Sequence, residues 1–512
     1  MKPGPPLTAS NITATSPRIP VGFLILLIGI CILPTFINIK YGIGENIDAY
    51  SILDRARSFA GNGVYLRSRS WGYPLYEVVA YPLLNWGGIT AAKLYSLAWL
   101  AASVGLAALK LRLDDIPTTQ LWAGVAAFAW LPCTIISGNS VMETSQSLAL
   151  GLAGVYFFLT FLKQGHEKQL IVAMILTGLA LGTRPCHVIL LASIVTTLTL
   201  FRLVSFPRLL ALTALSSVLG FAPYFFLYHS LPWQPGLSII DTGDPMSMKL
   251  VKTVIGYIAV LGIPAWAVLM AAGIRHLSRA KSISTLNITP WGVFYTLVTL
   301  LYLIRIMLLP DEIEYAYFWG SLTLLFFIPK LPSRSWVVIL AFASALPNFV
   351  QLHFFDRGQN GAVISSWGFS VGAIEQDRQY RQSREFMRSD YMSMVDQQWN
   401  ATGCTGPRPQ WTSFFAEGFP FSTSANCEFV SLKWYARMRD YVFPSQGRQM
   451  ERFLLRYDKT LLIHSFPTDR GWRRFLKFEQ VFPIRPEMLQ FKIHLAKSAV
   501  TGLEERKFWL AQ

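Results

Sequence analysis

Charge is scarce in this chain of 512 residues: 14% are Asp, Glu, Lys or Arg, against 52% hydrophobic, whereas a soluble domain carries about 25% charged residues. Together with a mean hydropathy of +0.38 and apolar runs long enough to cross a bilayer, that shortage excludes an ordinary soluble fold. A concentrated basic run is also missing. Residues 1–350 hold 23 basic and 13 acidic side chains and residues 351–512 hold 22 and 16, so the net charge of +16 is spread along the chain. Nucleic acid is therefore not an expected partner, and the positive excess reads as topology signal and contact with anionic lipid. The five cysteines include no Cys/His spacing of the zinc type, and no fixed-period repeat suggests a solenoid or propeller.

What is present is a series of apolar segments, at about 21–38, 93–109, 119–136, 145–162, 169–183, 186–201, 209–229, 250–274, 290–309, 315–329 and 335–350. Each is near the roughly 17–25 residues a spanning helix needs, which predicts an α-helical polytopic membrane protein with about eleven transmembrane helices. Residues 1–20, with Lys2 and Arg18, read as a cytoplasmic tail before a retained anchor, since no small-residue cleavage site follows closely. Alternate loops carry Lys110/Arg112, Lys163/Lys168, Arg202/Arg208, Arg275/Arg279/Lys281 and Lys330/Arg334, which places them with the tail on the cytoplasmic side of a plasma or inner membrane. The opposite loops carry acidic residues such as Glu143, Asp241, Asp311 and Glu314 and face outward. So do a long first outer loop, residues 39–92, and residues 351–512, expected to form a small exoplasmic α/β domain.

In that outer domain, 428–432 and 461–464 read as strands, and 375–396 and 446–457 as helices. Cys404 and Cys427 are its only cysteines, and the oxidising exoplasmic compartment predicts a disulfide between them. Arg381, Arg384 and Arg388 fall at helical spacing, and a solvated helix face is the favoured reading.

Two stretches of the first outer loop carry candidate chemistry. Helix formation soon after the membrane would put Glu45 and Asp48 on one face at the bilayer surface, where a carboxylate can serve as general base on an acceptor hydroxyl; Asp48 as a helix cap and Glu45 as a solvated side chain is the competing reading. Residues 63–77 alternate Arg67 and Arg69 with Ser68, Trp71, Tyr73 and Tyr76, which suits phosphate clamping by guanidinium forks and equally suits interfacial anchoring. Arg184 in Leu-Gly-Thr-Arg-Pro and Arg305 stand at membrane edges, where an arginine is costly unless it binds something.

These motifs resemble the GT-C superfamily of glycosyltransferases that use polyprenyl-phosphate sugars, in the branch of protein O-mannosyltransferases and lipid A aminoarabinose transferases. The likeness extends over roughly residues 20–350, and Pro310 to Tyr315 is similar to a family Pro-x-x-Arg/Glu-Tyr turn. It implies an inverting transfer from a polyprenyl-phosphate donor to an exoplasmic acceptor, whether lipid, glycan or protein. In that scheme Asp48 or Glu45 is the base, and Arg67, Arg69, Tyr73, Arg184, Arg305, Glu314 and Tyr315 bind substrate. Family members commonly place the acid four before the Tyr or as an acidic pair; here position 46 is Asn, which leaves the base between Asp48 and Glu45, with Asp54 a third position. No cofactor is implied with certainty. Some relatives need a divalent cation and others do not, and two lone carboxylates make no metal site. A polyprenyl-lipid flippase and a non-catalytic scaffold are the competing classes, and the absence of matched halves and the long outer loop count against transport.

Overall fold

A computed structural model describes residues 21–44, 47–63, 65, 67, 68, 72–229, 246–279, 289–308, 316–359, 362–375, 377, 378, 381, 427–431, 460–464, 489, 490 and 509–511. Its helices are α1 (Val21–Ile32, continued by a 3-10 segment to Asn38), α2 (Ile47–Asn62), α3 (Pro74–Leu113), α4 (Thr118–Ala129), α5 (Pro132–Gly138), α6 (Thr144–Gln164) and α7 (Glu167–Thr183). They continue with α8 (Val188–Leu200), α9 (Phe206–Tyr228), α10 (Met246–Leu261), α11 (Ile263–Arg279), α12 (Pro290–Leu308), α13 (Tyr317–Phe327) and α14 (Arg334–Ala345). A helix lies over every apolar segment of the sequence. Among the described residues, five helices are singly long and apolar enough to cross a membrane: Val21–Asn38, Pro74–Leu113, Thr144–Gln164, Phe206–Tyr228 and Pro290–Leu308. Two further crossings are available if the bent pairs α4–α5 (66°) and α10–α11 (87°) each count as one.

The pattern of exposure is that of a bundle in lipid. Large apolar side chains stand outward on α1 (Val21, Leu26), α9 (Phe206, Phe226) and α12 (Leu300, Ile304), while α6 is enclosed along most of its length. Lipid gives no hydrophobic drive for helix association, so close packing through small residues must supply it. The seams show this: a Cβ added at Gly154 of α6 would meet Thr177 Oγ1 of α7 at 2.7 Å, and one at Gly178 of α7 would meet the Ser216 carbonyl of α9 at 2.6 Å.

The element α3 begins at Pro74, well before the apolar run at 93, so the expected outer loop of 39–92 contains both α2 and the start of α3. Proline at the first helical position is favourable, because its missing N–H has no helical partner there. Gly88 interrupts α3 with φ +66°, a backbone state that glycine tolerates and other residues rarely adopt.

The loops that carry Lys110, Lys163 and Lys330 gather at one end of the bundle. There Lys163 Nζ bonds the Leu113 carbonyl (2.7 Å) and Asp115 (2.6 Å), and Lys110 Nζ bonds Asp114 and the Leu325 carbonyl, both at 2.5 Å. Lys330, 3.2 Å from the Phe326 ring centroid, shares this end. Partial burial, and then the nearby Lys110 charge, push its pKa from 10.5 down to about 8. Between those two values the unfolded chain binds the proton and the folded one does not, so stability rises with pH across that window. Thermal unfolding in detergent, wild type against Lys330→Met, should show the wild type gaining on the variant between pH 7.5 and 10.5; parallel profiles would contradict this.

The membrane helices are followed by an antiparallel hairpin, β1 (Val350–Gln359) and β2 (Ala362–Val371). A mixed sheet then has the order β3-β4-β6-β5, from Cys427–Ser431, Thr460–His464, Trp509–Ala511 and Leu489–Gln490. The strands expected near 428 and 461 coincide with β3 and β4, whereas the helix expected over 446–457 lies outside the described residues.

Candidate active site

The turn from Gly138 to Ser147, joining α5 to α6, is where the other end of the bundle converges. Pro132 opens α5 and Gly138 closes it against Leu100 and Thr35, with no room for a side chain. Asn139 Nδ2 then donates to the Thr35 carbonyl (2.9 Å), the Val141 amide to the Ile43 carbonyl (3.1 Å), and Ser145 Oγ to the Ser137 carbonyl (2.9 Å). Ser137 Oγ donates to Tyr317 Oη at the head of α13 (3.1 Å). Gly44 lies against Ser140, where an added Cβ would stand 3.5 Å from Oγ. The segment leading to Glu45 and Asp48 is thus fastened to this turn on one side. From the other side it is held by buried Lys93 of α3, whose Nζ donates to the carbonyls of Ile39 and Tyr41, both at 2.7 Å.

Two residues beyond Val141, Glu143 meets Arg184. Pro185 disfavours helical backbone at the residue before it, and Arg184 leaves α7 in an extended state (φ −148°, ψ 118°) that turns its side chain inward. Its Nε stands 3.4 Å from Glu143 Oε1, with the two side chains 3% and 0% exposed. Arg184 therefore does not snorkel to the interface, and Glu143, expected in an outward loop, is buried. Cys186 and His187 follow, with His187 Nε2 2.7 Å from Ser147 Oγ. Thr144, Ser147, Arg184, Cys186 and Tyr317 line a cavity of about 10 Å³, room for one water. The charges of Arg184 and of Arg305 on α12 are both felt at Cys186 and Tyr302. A buried ion pair of this kind adds little to stability over a well-packed apolar pair.

A second polar centre forms around Glu77, in the first turn of α3. Its carboxylate is fully buried and accepts from the Ser68 amide (3.1 Å) and hydroxyl (2.5 Å), the Tyr73 amide (3.2 Å), Tyr65 Oη (3.3 Å) and Tyr228 Oη of α9 (2.5 Å). Burial and the adjoining Glu77 charge drive the Tyr65 hydroxyl far above its ordinary pKa, so it remains a donor. Arg67 lies over the Tyr228 ring, 5.2 Å from its centroid. Gly72 has φ +70°, and a side chain there would collide with Tyr228. Tyr73, expected to bind substrate, packs in the core with Tyr76 and Tyr81.

The two centres belong to one body. Ala49, Ile52, Leu53 and Ala56 of α2 share a buried cluster with Ile43, Tyr76, Val141 and Met142, and Tyr95 Oη donates to Gln146 Oε1 (3.3 Å) beside Tyr76. Asp48 sits inside the first turn of α2, past the cap position. Its side chain, like Glu45, Arg69, Glu314, Tyr315 and Cys404, lies outside the described residues, and Cys427 is described only as the first residue of β3. The disulfide expectation therefore falls outside them as well. Among the described residues, no group of three His, Cys, Asp or Glu could hold a metal ion.

Sequence reasoning missed Glu77, Glu143, His187 and Arg381. Arg381, expected on a solvated face, is fully buried. For Glu143 a signal existed: Thr144, Ser145, Gln146 and Ser147 open an otherwise apolar helix with polar side chains.

No family model matches the chain, and no curated protein does. Among solved structures it is similar to the arabinosyltransferase EmbB from Mycobacterium smegmatis, determined by cryo-EM, with a TM-score of 0.40 and 16% identity over 65% of this chain and 31% of that one. A likeness that shallow carries no weight for activity.

Proposed function

We propose that the chain is a membrane glycosyltransferase that moves a sugar from a polyprenyl-phosphate donor to an exoplasmic acceptor with inversion. One observation carries the reading: the segment leading to Glu45 and Asp48, and the arginine Arg184, are fastened to the same short turn, through Ile43–Val141 (3.1 Å) and Glu143–Arg184 (3.4 Å). Transfer needs a base for the acceptor hydroxyl and a cation for the leaving phosphate a few ångströms beyond it, and the reading assigns the first role to Asp48 or Glu45 and the second to Arg184.

In the proposed reaction Asp48, or Glu45, takes the proton of the acceptor hydroxyl as its oxygen attacks the anomeric carbon. The bond from that carbon to the phosphate oxygen breaks, its electron pair stays with polyprenyl phosphate, and the configuration inverts. Arg184 and Arg305 stabilise the charge growing on the phosphate, in a site where a low dielectric strengthens that attraction. Arg67 and Arg69, with Glu314 and Tyr315, are proposed to hold the remainder of the substrates. The carboxylate base requires no divalent cation, although a metal-dependent variant of the scheme is compatible with it. Residues 351–512 are proposed to lie on the exoplasmic side, with Cys404 and Cys427 bridged, and residues 1–20 on the cytoplasmic side.

The test is a reconstitution in liposomes with a panel of radiolabelled polyprenyl-phosphate sugars and native lipid and protein fractions as acceptors. The expected result is label leaving the donor lipid and appearing on an acceptor. Label that crosses the bilayer still attached to its lipid would instead make the chain a lipid transporter.

A further inference from the structure

After the β hairpin, residues 373–375, 377, 378 and 381 are helical and deliver to the bundle a cluster of polar groups that the proposed mechanism does not use. Arg381 and Asp377, one helical turn apart, are 0% and 1% exposed. Arg381 Nε donates to both carboxylate oxygens of Asp377 (2.8 and 2.9 Å), Nη1 to the Asn139 carbonyl (3.1 Å) and Nη2 to Ser140 Oγ (3.0 Å). Asp377 accepts in addition from Asn38 Nδ2 (2.8 Å), which also donates to the Ile374 carbonyl (2.8 Å). Thus one element from beyond the membrane helices grips two places: the end of the first span at Asn38 and the turn at 139–140.

What lies next to those grips gives them meaning. Ser140 abuts Gly44, and Val141 is bonded to Ile43, so the position of Arg381 is passed within one residue to the segment bearing Glu45 and Asp48. Glu143, which pairs with Arg184, lies three residues further along the same turn. A planar guanidinium with its donors directed at three acceptors fixes an orientation that a lysine ammonium, a single point charge, cannot reproduce. Were packing alone required, apolar side chains would fill the position at least as well.

We infer that Arg381, braced by Asp377, is a positioning residue for the proposed base: it locks the 139–140 turn, and through it the head of α2, so that transfer proceeds only with residues 373–381 docked. The inference rests on the glycosyltransferase reading above, and its test has one arm that does not.

That arm is hydrogen–deuterium exchange of the full-length protein in detergent, comparing wild type with Arg381→Lys and Arg381→Ala. The expected result is exchange in 39–44 and the first two turns of α2 faster by about tenfold or more, with α6 and α7 unchanged and the Ala variant restored by added guanidinium. In the transfer assay the same variants should lose kcat by about 100-fold, the scale of a 1 Å misplacement, with the donor KM within about threefold. Ser140→Ala, which removes one contact of the guanidinium and keeps the rest, should fall between wild type and Arg381→Lys in both measurements, and stands in should the Arg381 variants fail to fold. Unchanged exchange in 39–56 in the folded variants overturns the inference. Faster exchange with no donor consumed by the wild type leaves the clamp standing and overturns the activity; normal kcat despite faster exchange overturns the positioning role.

Discussion

Glu77→Ala should be among the most damaging single substitutions in the chain. The carboxylate is the common acceptor for Ser68, Tyr65, Tyr228 and the Tyr73 amide, and alanine leaves those buried donors without it. Each donor so stranded costs about 1–3 kcal/mol, and the expected loss is at the upper end of single-substitution effects, roughly 4 kcal/mol. Because four of the five hydrogen bonds come from residues 65–73, that segment should detach from α3 before the bundle unfolds. Limited trypsinolysis should then cut after Arg67 far faster than in wild type, together with a lowered unfolding midpoint in detergent. Glu77→Gln keeps the shape and one acceptor oxygen, and should lie between the two. Unaltered cleavage in Glu77→Ala would mean that the carboxylate does not organise the loop.

Arg184→Ala is expected to act twice, and the two effects can be separated. Removing the guanidinium takes from buried Glu143 the cation 3.4 Å away, and breaking a buried pair in this way costs about 3–5 kcal/mol. The double substitution Arg184→Gln with Glu143→Gln removes both charges and should recover most of that stability. Turnover of donor should not recover, because the charge assigned to the leaving phosphate is still missing; losses of about 100- to 1000-fold are typical when one such group is deleted. Unfolding midpoints and donor consumption measured on the same three proteins check this. A double variant restored in both would reduce Arg184 to a structural residue.

How much of this was legible in the sequence depends on the range of the forces involved. The apolar segments appeared as helices because in lipid every backbone polar group must be satisfied within its own segment, a local constraint that hydropathy reports. The start of α3 at Pro74 was hidden because Glu77, Pro82, Asn85 and the Gly87–Gly88 pair dilute hydropathy there. Glu77 is covered by residues 65–73 and by Tyr228 from α9, and no spacing rule links positions 77 and 228. Arg381 shows the same limit: its i, i+4 relation to Asp377 could be read from the sequence, but its burial comes from docking on residues 139 and 140. Arg184 was picked out by the cost of an arginine at a membrane edge, while its partner Glu143 looked like any loop acid.

The central claim is that a carboxylate at the head of α2 is the base of a sugar transfer. Its most direct test is the rate of donor consumption in liposomes by wild type, Asp48→Asn and Glu45→Gln, each first shown to be folded by its unfolding midpoint. The account predicts that one of the two isosteric variants loses about 100-fold or more, the usual contribution of a general base, while the other stays near wild type. Both variants consuming donor at the wild-type rate would contradict it.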